Sequence, residues 1–226
     1  MIRFDKVTKK FGEIIALKEV DFEIKNQEFV FITGPSGAGK TTILKLILRH
    51  YLPTSGAIKV GGHDLSQISN KELVKLRREI GVVFQDFKLL TDRTVYENVA
   101  MALKIFGKKE KETQKEVEEV LDLVGLTKRS HLFPAQLAGG ELQRACLARA
   151  VVAKPKILMA DEPTGNLDPT TSWQIIKLLK KINRSGRTVI MATHNFEIVN
   201  SLKERVIEID EGKLIADKKR GKYRVK

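Results

Sequence analysis

Eight consecutive residues, Gly34-Pro35-Ser36-Gly37-Ala38-Gly39-Lys40-Thr41, limit what this chain can fold into more than any other stretch. They match the pattern G-x-x-x-x-G-K-[ST] at every fixed position, and that pattern belongs between a strand and a helix. Before it, Glu28-Phe29-Val30-Phe31-Ile32-Thr33 is aromatic and β-branched and predicts a buried strand; after it, Thr42-Ile43-Leu44-Lys45-Leu46-Ile47-Leu48 predicts a helix. The glycines let backbone N–H groups turn inward onto phosphates, and the helix presents its positive N-terminal end to the same charge. Residues Gly34 to Thr42 therefore form the expected cradle for a nucleoside triphosphate. Lys40 supplies a cation for the outer phosphates, and Thr41 a hydroxyl ligand for a bridging Mg²⁺.

With 226 residues, 42% of them hydrophobic, the chain has ample material for a core without staples. Its single cysteine, Cys146, excludes an internal disulfide, fits a reducing compartment, and reads as a small buried apolar residue. Neither an apolar segment behind Met1-Ile2-Arg3-Phe4-Asp5-Lys6 nor any run approaching the ~18 apolar residues of a membrane span is present, so a soluble, cytoplasmic protein is expected. A net charge of +13 invites an anionic partner: nucleic acid, or the inner leaflet of a membrane. The basic residues are spread out. Lys108-Lys109-Glu110-Lys111 is interleaved with acid and reads as a solvated helix face, while the purely basic tail, 218–226, is either a free end or a membrane-surface contact.

Short strands are expected at about 2–7, 20–24 and 57–60, the last following the Pro53-Thr54-Ser55-Gly56 turn, and again at 80–84. From Thr94 to Gly125 the pattern is helical, with Val117, Val120, Leu121 and Val124 at spacings of three and four. A helix at 141–153, a strand at 156–160, a helix at 171–183 and strands at 188–192, 206–209 and 213–216 complete the reading. Alternating strands and helices imply an α/β fold with a mainly parallel sheet covered on both faces.

Ile157-Leu158-Met159-Ala160 is an apolar strand that delivers Asp161 and Glu162 at its carboxyl end, where open parallel sheets bind ligands. Asp161 suits the metal, directly or through water. Glu162 suits the attacking water, as general base.

Shortly before that strand, Leu137-Ala138-Gly139-Gly140-Glu141-Leu142-Gln143-Arg144 resembles the signature motif of the ATP-binding cassette family. Gln85 resembles that family's Q-loop glutamine, Gly165-Asn166-Leu167-Asp168 its D-loop, His194 its switch histidine, and Phe11 the aromatic platform on which the adenine stacks. The resemblance covers the whole chain. It implies one ATP-binding domain: a core with an antiparallel β subdomain at 1–84 and 154–220, a helical subdomain at about 85–153 carrying the signature, and the basic tail. It also implies ATP hydrolysis by two copies closed head to tail, so that Ala138, Gly139, Gly140 and Glu141 of one copy face the phosphate loop of the other. Lys40, Gln85, Glu162 and His194 would then serve catalysis, Thr41, Gln85 and Asp161 the Mg²⁺, and Asp168 the nucleotide site.

Position 138 departs from the family, whose signature usually has Ser there. The missing hydroxyl removes a donor to the terminal phosphate and a helix cap, so this ATPase is expected to be slow or to close weakly without its partner. The stretch Phe84 to Ala100, with Asp86-Phe87-Lys88-Leu89-Leu90, resembles the cell-division members of the family, as does Met191-Ala192-Thr193-His194-Asn195. For that branch the implied partner is an FtsX-like integral membrane protein at the inner face of the plasma membrane; Phe87, Leu89 and Leu90 form an apolar group that either receives it or packs in the core. Lipoprotein-releasing and macrolide-exporting cassettes share Ala160-Asp161-Glu162-Pro163-Thr164-Gly165-Asn166-Leu167-Asp168 and are the alternative. A nucleic-acid-associated ATPase is a second alternative, motivated by charge alone; no DNA- or RNA-reading module supports it, and no nucleic acid is expected.

Overall fold

The computed structural model describes residues 1–221; the last part of the basic tail, 222–226, lies outside the described residues. The chain opens with β1 (Ile2–Phe11), β2 (Ile14–Ile24), β3 (Phe29–Thr33) and α1 (Lys40–Ile47). It continues through β4 (Ser55–Val60), β5 (His63–Asp64), α2 (Asn70–Arg78) and β6 (Ile80–Val83). Helices α3 (Val95–Ile105), α4 (Glu110–Leu123) and α5 (Gly139–Val151) follow, then β7 (Ile157–Asp161), α6 (Pro169–Arg184), β8 (Thr188–Thr193), α7 (Phe196–Leu202), β9 (Arg205–Asp210) and β10 (Lys213–Lys218).

Two sheets result. A six-stranded sheet runs β10-β9-β3-β8-β7-β6, and a four-stranded sheet runs β2-β1-β4-β5. In the larger one, β6, β7, β8, β3 and β9 are parallel and only β10 is antiparallel; the smaller is antiparallel throughout. Alternation along β3 divides the core. Phe29 and Phe31 point to the face covered by α3 to α7, with Leu158, Ala160, Val189 and Met191. Val30 and Ile32 point to the face covered by the small sheet, α1 and α2, with Met159, Ile190, Ala192 and Ile207. Each fully buried large side chain contributes about 1.5–3 kcal/mol by leaving water, so strands apolar on both faces fold where both are covered.

Several boundaries differ from the sequence reading. β1 and β2 run on to Phe11 and Ile14 because bulges after Phe4 and Val7 interrupt the period-two pattern without ending the pairing. The helical stretch from Thr94 breaks at Gly107, whose φ of 75° suits glycine. α2 and α7 were not expected; both carry side-chain caps, Ser69 with Glu72 for α2 and Asn195 for α7. α5 starts at Gly139 rather than Glu141, with Ala138 at the N-cap.

Register sets the site. Thr33 pairs with Thr193, Asp161 with Ala192 and Val83 with Ala160. Four parallel neighbours therefore end at one edge of the sheet, which brings the phosphate loop, His194, Glu162 and Gln85 together.

Candidate nucleotide site

The phosphate loop closes only with glycine at its ends. Gly34 has φ 148°, and a Cβ there would lie 2.0 Å from the Ile209 carbonyl oxygen; Gly39 has φ 109°, and a Cβ would lie 2.8 Å from the Ala16 oxygen. Real Cβ contacts are never that close, so both positions exclude a side chain. Ala16, Ser36, Gly37, Gly39, Lys40, Thr41, Thr42, Gln85 and Glu162 line a cavity of about 210 Å³. That is below the ~300–1,000 Å³ of a pocket enclosing a whole drug-sized ligand, and suits a phosphate chain whose base lies outside.

Lys40 is buried at 7% exposure, and its Nζ donates to the carbonyls of Gly34 at 2.8 Å and Pro35 at 2.9 Å. The ammonium also lies 3.8 Å from Glu162 Oε1. A buried ammonium satisfied by carbonyls of its own loop is poised to exchange them for phosphate oxygens.

Thr41 Oγ1 donates to Asp161 Oδ2 at 2.8 Å, while Asp161 Oδ1 is buried with no hydrogen-bond partner among the described residues. Burial, and secondarily the charge of Glu162, lifts the Asp161 carboxyl above its ordinary range, against the Thr41 bond and the charges of Lys40 and Lys45. An orphaned carboxylate oxygen beside a hydroxyl fits a hard divalent cation. Among the described residues no cluster of three or more His, Cys, Asp or Glu forms a metal cage. Such an ion would complete its shell with ligand oxygens and water, as Mg²⁺ does.

Glu162 follows β7 with φ 46°, a left-handed conformation uncommon for a side-chain-bearing residue. Its N–H donates to the Ala192 carbonyl at 2.9 Å and its own carbonyl accepts from Gly165 N–H at 3.1 Å, which hold that turn. Glu162 Oε1 lies 2.7 Å from His194 Nδ1. The acid thus sits between an ammonium and an imidazole.

The remaining predicted residues lie apart from this pocket. Phe11 is 39% exposed at the end of β1, packed edge to face against Tyr51. Asp168 caps α6 by accepting from Thr171 N–H at 3.0 Å, and that bonding holds its carboxyl below the usual range. No residue from 137 to 141 lines the cavity. Ala138 and Gly139 are exposed. Gly140 packs so closely on Thr171 that a Cβ would lie 2.4 Å from its methyl carbon. At Ala138 only half a capping box exists: Glu141 Oε2 accepts from Ala138 N–H at 3.1 Å while its Oε1 accepts from Arg129 Nε at 3.1 Å, and alanine offers no oxygen in return.

Sequence reasoning missed two features. Ala16 lines the cavity with nothing in its neighbourhood to flag it. Phe87 and Lys88 are consecutive left-handed residues, φ 61° and 53°, whose carbonyls accept from Arg149 at 3.0 and 2.6 Å. A cation among the apolar residues of the last turns of α5, Ala145 to Val151, was the signal for this anchor. The reversal divides the expected apolar group: Phe87 and Leu89 pack on the core and Leu90 stays exposed.

This chain belongs to the ABC transporter family, whose model matches residues 17–165. It is an ABC-type ATPase of the FtsE-like kind. It is 50% identical over 224 residues to the cell division ATP-binding protein FtsE of Bacillus subtilis, covering 99% of this chain and 98% of that one. FtsE of Mycobacterium tuberculosis is 47% identical over 225 residues, with 99% and 98% covered. Among solved structures, a dimeric post-hydrolysis state of the ATP-binding cassette MJ0796 bound to ADP and Pi superposes with a TM-score of 0.88 at 38% identity, covering 99% of this chain and all of that one.

Proposed function

We propose that this chain is the ATP-hydrolysing subunit of a cell-division complex on the cytoplasmic face of the plasma membrane. Two copies close head to tail over ATP, and closure moves an FtsX-like integral membrane partner that regulates septal peptidoglycan hydrolysis. The observation that carries this is the half-built site: one copy lines its phosphate cavity without any residue from 137–141, while the start of α5 stands exposed elsewhere. A second copy supplies the missing half, as the dimeric assembly of the solved cassette supports. The cell-division assignment rests on the FtsE relatives.

In this reading Lys40 leaves the Gly34 and Pro35 carbonyls for the outer phosphates. Asp161, Thr41 and Gln85 hold the Mg²⁺, which when bound draws charge off the phosphate oxygens. Phe11 receives the base. Glu162 orients the attacking water and takes its proton, and His194 fixes the Glu162 carboxylate and meets the terminal phosphate. Gly139, Gly140 and Glu141 of the opposing copy offer the positive start of α5, with Ala138 and Asp168 at the same seam. Reset follows hydrolysis because product no longer bridges the copies.

Affinity purification of the chain from detergent-solubilised membranes tests the assignment. Recovery of an FtsX-like membrane protein whose presence raises hydrolysis is the expected result. Retention of duplex DNA at physiological salt, with no membrane protein recovered, would contradict it.

A further inference from the structure

We propose that Tyr51 is a positioning residue for the nucleotide base, acting through Phe11. The inference rests on Phe11 being the base platform, and adds what makes that platform rigid. Phe11 ends β1 beside Gly12, at φ 57°, and is 39% exposed; alone, a ring at such a hairpin tip would sample several rotamers. Tyr51, 37% exposed, meets it with ring centroids 5.0 Å apart and planes at 78°. That is the edge-to-face geometry favoured by the ring quadrupoles.

The pair is tied down from two elements, β1 and α1. Lys9 Nζ lies 4.8 Å from the Phe11 centroid and 5.5 Å from that of Tyr51, and donates to the Leu52 carbonyl at 2.9 Å. Lys10 N–H donates to Thr54 Oγ1 at 2.9 Å and Thr54 N–H to the Thr8 carbonyl at 2.8 Å, which fasten the end of β1 to the segment carrying Tyr51. A second cation, Lys45 Nζ, lies 5.9 Å from the Tyr51 centroid. Lys45 is one turn after Thr41 on α1 and so shares its face. Tyr51 therefore links the aromatic platform to the helix that begins at the phosphate loop. Fixing the Phe11 ring before the ligand arrives removes an ordering cost from binding. The recognised ligand is a nucleoside di- or triphosphate whose base stacks on Phe11, and Tyr51 leaves the phosphate contacts untouched.

Calorimetric titration with ADP, and separately with inorganic tripolyphosphate as a probe lacking a base, tests this in the parent, Tyr51→Ala, Tyr51→Phe and Phe11→Ala. Tyr51→Ala is expected to weaken ADP about two- to tenfold, to leave tripolyphosphate affinity unchanged, and to be rescued by Tyr51→Phe. An unchanged ADP affinity in Tyr51→Ala, with a loss in Phe11→Ala, would overturn the inference and leave the base platform standing. Equal losses for ADP and tripolyphosphate would also overturn it, by showing damage to the phosphate site. Unchanged ADP affinity in Phe11→Ala would remove the base platform itself.

Discussion

Ala138→Ser separates two consequences of a single missing oxygen. Ala138 occupies the N-cap of α5 with φ −69° and ψ 157°, the extended conformation a capping serine adopts, so the new side chain needs no backbone change. Its Oγ would accept the N–H of Glu141 and complete the half box already made by the Glu141 carboxylate at 3.1 Å. Completing the cap is worth about 1 kcal/mol, or roughly 2–4 °C in Tm for a chain of this size. A hydroxyl can accept and donate at once, so the same oxygen can also donate to the terminal phosphate held by the opposing copy. A hydrogen bond to a charged group is worth about 1.5–3 kcal/mol, roughly tenfold to a hundredfold if all of it is felt at closure. Thermal unfolding without nucleotide reads the cap alone; basal ATP hydrolysis and ATP-dependent association read the seam. Both are expected to rise. A higher Tm with unchanged hydrolysis and association would refute the seam contact, and an unchanged Tm would refute the cap.

Other consequences are open to direct measurement. Because the folded Asp161 carboxyl is raised above its unfolded value, chiefly by burial, its ionisation costs stability as pH climbs from the unfolded value through the folded one. Relative to the parent, nucleotide-free Asp161→Asn should therefore gain Tm as pH rises above the ordinary carboxylate range while losing Mg²⁺-dependent nucleotide binding; a relative loss of Tm on that rise would contradict the sign. Lys40→Ala removes the cation held by Gly34 and Pro35, so nucleotide affinity should fall by about tenfold to a hundredfold with far-UV circular dichroism unchanged; retained affinity would deny Lys40 its role. Burial pushes the Cys146 thiol up to about 12, which leaves it protonated and inert at pH 8. A thiol reagent should label it only after denaturant is added, and rapid labelling of the native chain would show the site is open.

What the sequence makes legible here follows the range of the forces involved. β3, the phosphate loop and α1 could be read directly, because a fixed local pattern sits between an apolar strand and an apolar helix and each requires the other. β7 with Asp161 and Glu162 was equally plain, since a run buried on both faces ends in two acids. α2 was harder: only Leu73 and Leu76 are buried in it, so its periodicity is thin, and Ser69 with Glu72 was the usable signal. The left-handed turns at Glu162, Phe87 and Lys88 could not be read, because tertiary contacts rather than residue type impose them. Arg149 reaches Phe87 from 62 positions away, and Phe11 at the end of β1 meets Tyr51 in the connection between α1 and β4. Arg149 among apolar neighbours marks one end of the first contact, but its partner, like that of Phe11, cannot be read from nearby sequence. The signature stretch shows the complementary limit: its motif was recognisable, but only the fold shows that it stands outside the cavity of its own chain.

A structure of Glu162→Gln with Mg²⁺ and ATP tests the central claim most directly, because that substitution keeps the shape of the side chain and removes the base. Two copies are expected, each placing its residues 137–141 within hydrogen-bond reach of the terminal phosphate bound by the other. A single copy with nucleotide in its phosphate loop and no 137–141 segment near the terminal phosphate would contradict the account.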